Sequence, residues 1–342
     1  MKYLFGPVNS RRLGLSQGID LLPDNICNFD CVYCEVGATR ILTCERGEYS
    51  PSAEIIAEID HLLADPATPL PDVFTITASG EPTLHTGLGA IIRHLKASTA
   101  APVAVLTNGS LLFRPEVRAE LAAADIVVPS LDAALPRSHR RINRPAPCAD
   151  LETIIDGLVS FRQEFQGEIW LEILLVKNLN DSEEDIVALR EAAARIHPDR
   201  IQLNSVARPP LESFALPMEP EEMEAIAARF PGRVEILVDL TRRERNRQGQ
   251  ATTKKILEML RRRPCTLDDI CEALNLEPAP TRDVLAKLQK ENQLNTVTHN
   301  HGEYYQVNPN RLAGESSPAP DRGKGGEAAT ARTTEEISPH NR

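Results

Sequence analysis

The sequence predicts an α/β protein built on a parallel sheet, followed by a small helical domain that ends in a hairpin. Three observations predict it. Seven short β-branched or apolar runs alternate with amphipathic stretches from about residue 15 to 240, the rhythm of strands buried on both faces and joined by helical crossovers. Polar signatures recur at the ends of successive runs, where α/β sheets gather their ligands. After Asp239 the rhythm stops and basic charge takes over.

The candidate strands are "GIDLL" (18–22), "VFTITA" (73–78), "VAVLT" (103–107), "IVVPSL" (126–131), "IWLEILLV" (169–176), "RIQLNSV" (200–206) and "RVEILVD" (233–239). Helical patterns lie between them at about 52–64, 87–97, 115–123, 150–165, 182–194 and 219–229. Asp150 reads as the N-cap of one helix, and Asp181 or Ser182 precedes another with acids in its first turn. Periodicity leaves an open doubly wound sheet and a barrel equally open. In either, "CNFDCVYC", "SGEPT", "TNGS", "SLDA", "KNLND" and "NSVARPP" follow successive strands and meet on one rim.

Residues 241–251 read as a basic linker. Helices at about 252–262, 266–275 and 279–294, then two β-rich runs meeting at "HNHG", predict a winged-helix domain over residues 252–310. Residues 311–342 are Pro, Gly, Ser, Ala and Thr with balanced charge, which predicts a disordered tail.

No run approaches the 18 or so uncharged apolar residues a membrane span needs, and "MKYLFGPVNSRR" has no apolar signal region, so a cytoplasmic protein is expected. Seven cysteines, an odd number in a chain of 342 residues, argue against a secreted disulfide framework. The formal charge of -11 argues against wholesale polyanion binding. Two stretches run against it: nine Lys/Arg face two Glu between Arg242 and Pro264, and "RSHRRINR" (137–144) has four Arg and no acid.

Cys27, Cys31 and Cys34 are spaced C-x3-C-x2-C in a polar, turn-like stretch. Structural zinc takes four protein ligands, and Cys44, ten residues on, keeps a four-thiol zinc site open as the alternative. A [4Fe–4S] cluster also normally takes four thiolates, so three leave one iron to a ligand other than protein. With Tyr33 in the aromatic slot of C-x3-C-x-aromatic-C, and "SGEP" after the second strand, the chain resembles radical S-adenosylmethionine (radical SAM) enzymes. Over roughly residues 2–240, including "TNGS", "PSLDAA", "RRINRP" and "VKNLND", it is similar to a branch that includes the wyosine-base enzymes of tRNA.

The resemblance implies a partial (β/α)6 TIM-type barrel over residues 1–240. It implies that Cys27, Cys31 and Cys34 ligate three irons of a [4Fe–4S] cluster while S-adenosylmethionine chelates the fourth. Gly80 and Glu81 would receive the cofactor's amine, and Tyr33, Asn108, Ser130, Asp132 and Asn204 would complete its site, with Val206 near the adenine. One electron from a reductant such as flavodoxin or ferredoxin would yield a 5′-deoxyadenosyl radical that takes hydrogen from a substrate. Lys177, at the end of the fifth strand, and Arg12 and Arg144 are the candidate catalytic cations, since arginine forks match phosphate or carboxylate. The resemblance leaves the substrate unassigned, with RNA one candidate and a peptide or partner protein the alternative, either reached through the winged helix. The non-enzymatic alternative is a redox-sensing iron–sulfur or zinc regulator that binds nucleic acid. Unlike the wyosine enzymes, the chain has no cysteine between Lys2 and Ile26 for a second cluster, and Cys44 and Cys148 read as isolated thiols.

Overall fold

A computed structural model describes residues 1–10, 12–65, 70–77, 79–237, 253–274, 276–300 and 302–308. The predicted tail, the predicted linker and Arg11 lie outside them. The chain opens with strands β1 (Leu4–Ser10) and β2 (Gly14–Asp20), then the two-residue strands β3 (Ile26–Cys27) and β4 (Ile41–Leu42). There follow α1 (Ser52–Ala64), β5 (Val73–Thr77), α2 (Leu88–Ser98), β6 (Val103–Thr107), α3 (Pro115–Leu121), β7 (Ile126–Pro129), α4 (Pro136–Ile142) and α5 (Leu151–Glu164). The alternation ends with β8 (Glu168–Leu175), α6 (Glu183–Ile196), β9 (Arg200–Ser205), α7 (Pro220–Ala227) and β10 (Val234–Ile236).

The sheet runs β1-β2-β5-β6-β7-β8-β9-β10, antiparallel between β1 and β2 and parallel from β2 onward. Each crossover therefore lands on the next neighbour. A doubly wound sheet reverses its strand order partway, so this monotonic order is the winding of a barrel left incomplete. The seven parallel strands are the seven the periodicity marked, one more than a (β/α)6 barrel counts, and the antiparallel β1 was not foreseen. The first parallel strand also starts four residues early, at Gly14 rather than Gly18. The hairpin escapes a periodicity reading because Gly6 and Pro7 interrupt β1 where its register shifts, between Phe5 and Val8.

Helices begin where local chemistry starts them. Asp150 accepts from the Thr153 amide at 3.1 Å, and Ser182 accepts from the Asp185 amide at 3.3 Å ahead of three first-turn acids. One apolar core, from Ile19, Phe74 and Ile76 through Leu171 and Leu203, fills the space between sheet and helices. "RSHRRINR", expected as a basic loop, forms α4 and its C-terminal turn.

Beyond the undescribed segment come α8 (Thr253–Leu260), α9 (Leu267–Leu274), α10 (Pro278–Lys290) and the antiparallel hairpin of β11 (Leu294–His299) and β12 (Gly302–Val307). These elements enclose a separate core of Ile256, Leu260, Ile270, Leu285, Leu288 and Tyr305. No helix among the described residues is long and apolar enough to cross a membrane.

Candidate active site

The three cysteines enter the sheet through a single glycine. Ile26, just before Cys27, bridges Gly80 in parallel: the Ile26 amide donates to the Ser79 carbonyl at 3.0 Å and the Glu81 amide to the Ile26 carbonyl at 3.0 Å. Gly80 has φ +135°, and a Cβ there would fall 1.8 Å from the Ile26 carbonyl oxygen. Only glycine fits this approach, and it fixes the cysteine loop against the turn after β5.

From the other side α4 holds the same loop. The Asp30 and Val32 amides donate to the Asn143 and Ile142 carbonyls, each at 2.9 Å. Asn143 also directs its side-chain amide at Cys31 Sγ (3.4 Å) and at Asp132 (2.8 Å). Asn108 places its amide 3.7 Å from Cys27 Sγ and 2.7 Å from Asn28 Oδ1, and the Phe29 amide reaches Cys27 Sγ at 3.4 Å. Hydrogen bonds to sulfur of this kind stabilise thiolates and tune the potential of a cluster they hold.

Cys27, Cys31 and Cys34 line one cavity together with Tyr33, Gly80, Glu81, Asn108, Ser130 and Asn204. Burial first, then Glu81, pushes the Cys27 thiol up to about 12, and burial pushes Cys34 up to about 11. Thiols held protonated in this way must release protons when they take a metal. Among the described residues no three His, Cys, Asp or Glu side chains gather round a point where one metal ion could sit. Cys44 pairs with Cys148, so the two are neighbours rather than isolated thiols, and neither lines the cavity of the three cysteines.

The polar residues of the cavity are tightly braced. Glu81 is fully buried; Oε1 accepts from the Thr83 amide and hydroxyl and from the Thr107 hydroxyl, and Oε2 accepts from the Asn108 amide at 2.6 Å. Its carboxylate thus ties the turn after β5 to the end of β6, and Oε2 keeps a lone pair for a further donor. Asp132 accepts from the Tyr33 hydroxyl, the Asn143 amide and the Leu174 amide (3.0 Å), and burial raises its carboxyl to about 6. It holds the Tyr33 ring in place from behind. Asn204 donates to Glu172 at 2.8 Å, and Glu172 receives both ends of the Arg12 guanidinium at 2.6 and 3.1 Å.

The three predicted cations do not share this cavity. Arg12 lines an adjoining one, with its fork committed to Glu172. Lys177 and Arg144 line a separate cavity with Arg141, Asn178 and Phe214. Lys177 pairs with both oxygens of Glu222 at 3.0 Å, and Arg144 with Glu212 at 2.7 Å. "RSHRRINR" also has a structural part, since its Asn143 and the carbonyls of Ile142 and Asn143 support the cysteine loop.

Sequence reasoning missed Glu172, Asn143, Asn28 and Arg208. A lone Glu inside the apolar "IWLEILLV" was the available signal for the first, and the rim position of "NSVARPP" for the last.

The radical SAM superfamily model matches residues 21–190. A UPF0026 protein of Helicobacter pylori (strain J99) is 34% identical over 279 residues, 80% of this chain and 84% of that protein. A UPF0026 protein of Synechocystis is 39% identical over 207 residues, 60% of this chain and 76% of that one. The GTPase Obg of Brachyspira hyodysenteriae is 34% identical over 310 residues, 90% of this chain but 45% of that protein, so the chain spans less than half its length. Among solved structures, a radical SAM methyltransferase from Sphaerobacter thermophilus is similar at 18% identity, covering 65% of this chain and 66% of that one with a TM-score of 0.49. With the superfamily model over residues 21–190 and the UPF0026 relatives, the chain belongs to the radical SAM superfamily, enzymes whose cofactors are a [4Fe–4S] cluster and S-adenosylmethionine.

Proposed function

We propose that the chain reductively cleaves S-adenosylmethionine at a [4Fe–4S] cluster and uses the resulting 5′-deoxyadenosyl radical to take a hydrogen atom from a substrate. The observation that carries this reading is the cavity itself, where three cysteines from one loop face Gly80, Glu81, Asn108 and Ser130 from neighbouring strand ends. Cys27, Cys31 and Cys34 hold three irons. The backbone at Gly80 and the remaining lone pair on Glu81 receive an ammonium, a pairing of carboxylate and cation in a dry site. Asn108, Ser130 and Asn204 offer short hydrogen-bonding side chains suited to a hydroxyl-rich nucleoside. Asp132 acts through Tyr33 and Asn143 as a positioning residue. The electron comes from a reductant of the flavodoxin or ferredoxin type, and the expected setting is the cytoplasm.

We read α8 to β12 as a winged helix. Its α10 carries Arg282, Lys287 and Lys290 beside Asp283, and Lys287 lies 3.9 Å from Glu291. So weak a positive face does not favour a duplex in its path, because phosphate contacts dominate nucleic-acid affinity. A small or peptide-borne substrate fits better than long RNA.

The test is anaerobic reconstitution followed by dithionite and S-adenosylmethionine. The clustered protein is expected to form 5′-deoxyadenosine, and Cys31→Ala to lose iron and product together. A fully clustered wild-type protein that yields no 5′-deoxyadenosine removes the reading.

A further inference from the structure

We propose that the C-terminal module completes a substrate pocket in which Arg208, Arg262 and Arg263 hold an oxyanion of the substrate, a phosphate or a carboxylate. This deepens the radical SAM reading and rests on it, because it takes the cysteine cavity as the cofactor's place. A second cavity abuts that one and shares Glu35, Thr77, Leu106 and Arg208 with it. Barrel residues such as Ser16, Thr75 and Ser79 form one wall; Met259, Arg262 and Arg263 from the end of α8 form the other. A group bound here lies beside the cofactor cavity, where the abstracted hydrogen has to be.

Cations outnumber acids on these walls. Arg12, Arg208, Arg262 and Arg263 face Asp20 and Glu35. Arg12 is committed elsewhere, but the other three are paired loosely. Glu35 is shared between Arg208 at 3.2 Å and Arg263 at 3.5 Å. Asp20 stands 3.7 Å from Arg262 while its oxygens accept from the Ser79 amide and hydroxyl and from the Leu22 amide. Well-formed guanidinium–carboxylate bonds run at about 2.7–2.9 Å. Arg208 Nε is also buried without a hydrogen-bond partner. Arg262 also donates to the Lys2 carbonyl at 3.1 Å and lies over the Phe5 ring. A carboxylate or a phosphate presents paired oxygens to guanidinium groups whose own carboxylates stand this far off.

The module also sets Arg208 in place. Asn300 donates to the Val206 carbonyl and the Tyr304 hydroxyl to the Ala207 carbonyl, each at 2.9 Å, on the two residues preceding it. Asp269 of α9 faces Arg208 itself at 3.8 Å. One end of the pocket is thus built by residues 259–263 and the other by the hairpin of residues 4–20, far apart in the described sequence.

Calorimetric titration of pyrophosphate, and separately of malonate, into full-length cluster-loaded protein without reductant tests the proposal. At least one anion is expected to bind, and Arg263→Gln and Arg208→Gln each to weaken it by about tenfold or more. Tighter pyrophosphate binding identifies a phosphate-bearing substrate, and tighter malonate binding a carboxylate. Arg263→Lys, which keeps charge but loses the fork, replaces the Gln variant if that protein does not melt cooperatively. Failure of both anions to bind wild-type protein, or equal binding by the variants, overturns the proposal. The readout involves no turnover: protein that makes 5′-deoxyadenosine but binds neither anion sinks only the oxyanion site, and protein that binds an anion but makes no 5′-deoxyadenosine sinks the radical SAM reading instead.

Discussion

The two cavities of the barrel are built in opposite ways. Around the cysteines, polar groups find partners on adjacent strand ends at short range: Glu81 collects four donors and Asp132 three, with no bond longer than 3.0 Å. In the seam under the C-terminal module, guanidinium groups meet carboxylates at 3.2 to 3.8 Å across two separate hydrophobic cores. The difference teaches that the carboxylates at the end serving a constant cofactor are hydrogen-bonded before anything binds, whereas the end facing the substrate keeps hydrogen-bonding capacity in reserve. Preorganisation on one side and reserve on the other is the division expected of an enzyme that repeats one chemistry on its own particular substrate.

The strongest way to break the cysteine half is Gly80→Ala. Its Cβ would sit 1.8 Å from the Ile26 carbonyl oxygen at φ +135°, and neither backbone can retreat without pulling Cys27 away from the rim. We expect a loss of about 3 kcal/mol or more in stability and failure to retain iron on reconstitution. Thermal denaturation and iron content of the purified protein measure both. Normal iron loading in the Ala protein would mean that the cysteine loop does not depend on this bridge.

How far each half could be read from the chain follows from the same contrast. The cysteine half is local: Cys27, Cys31 and Cys34 fall within eight residues, "SGEP" follows a strand, and the strand-end rule brings them to one rim. Bracing partners were harder, because Asn143 resides in a stretch whose arginines dominate its appearance. The seam half is not local. Arg208 and Arg263 are separated by two helices, a strand and an undescribed segment, and nothing periodic links them. The run of basic residues ending at Arg263 was visible as local positive charge, but only the docking of α8 against β1 brings Arg262 and Arg263 to the cavity. The hairpin itself was hidden by Pro7, which removes a ladder donor and breaks the apolar alternation.

A subtler change sharpens the comparison at the boundary between the cavities. Arg12 from the seam and Glu172 from the cysteine side form a bidentate pair with side chains 10% and 12% exposed, and Asn204 hangs from the same carboxylate. Glu172→Gln keeps the shape but leaves the Arg12 charge without a counter-charge in a dry site. The expected cost is about 2 kcal/mol, because one partner of a buried pair is removed while the other stays. Denaturant titration reads the stability. Arg12→Met/Glu172→Leu, which removes both charges, is expected to recover part of the loss. A double variant no more stable than the single one would show that Glu172 matters through Asn204 rather than through Arg12.

The smallest effect is expected at Lys177, and the reason is electrostatic as much as positional. A lysine that acts as a base or forms a Schiff base has its pKa lowered so that the free amine is populated near neutral pH. Lys177 is moved the other way: the hydrogen bond from its ammonium to Glu222 raises its pKa above the ordinary value, so the amine stays protonated. It lines a cavity with Arg144 and Phe214 that contains none of the three cluster cysteines. Lys177→Ala is therefore expected to form 5′-deoxyadenosine within about twofold of wild type, as an exposed ion pair adds little, and to melt at an unchanged temperature. A drop beyond about tenfold, the size of effect that loss of a general acid or base begins to produce, would bring this amine back to the reacting centre and make the outer cavity, rather than the seam, the partner of the cysteine site.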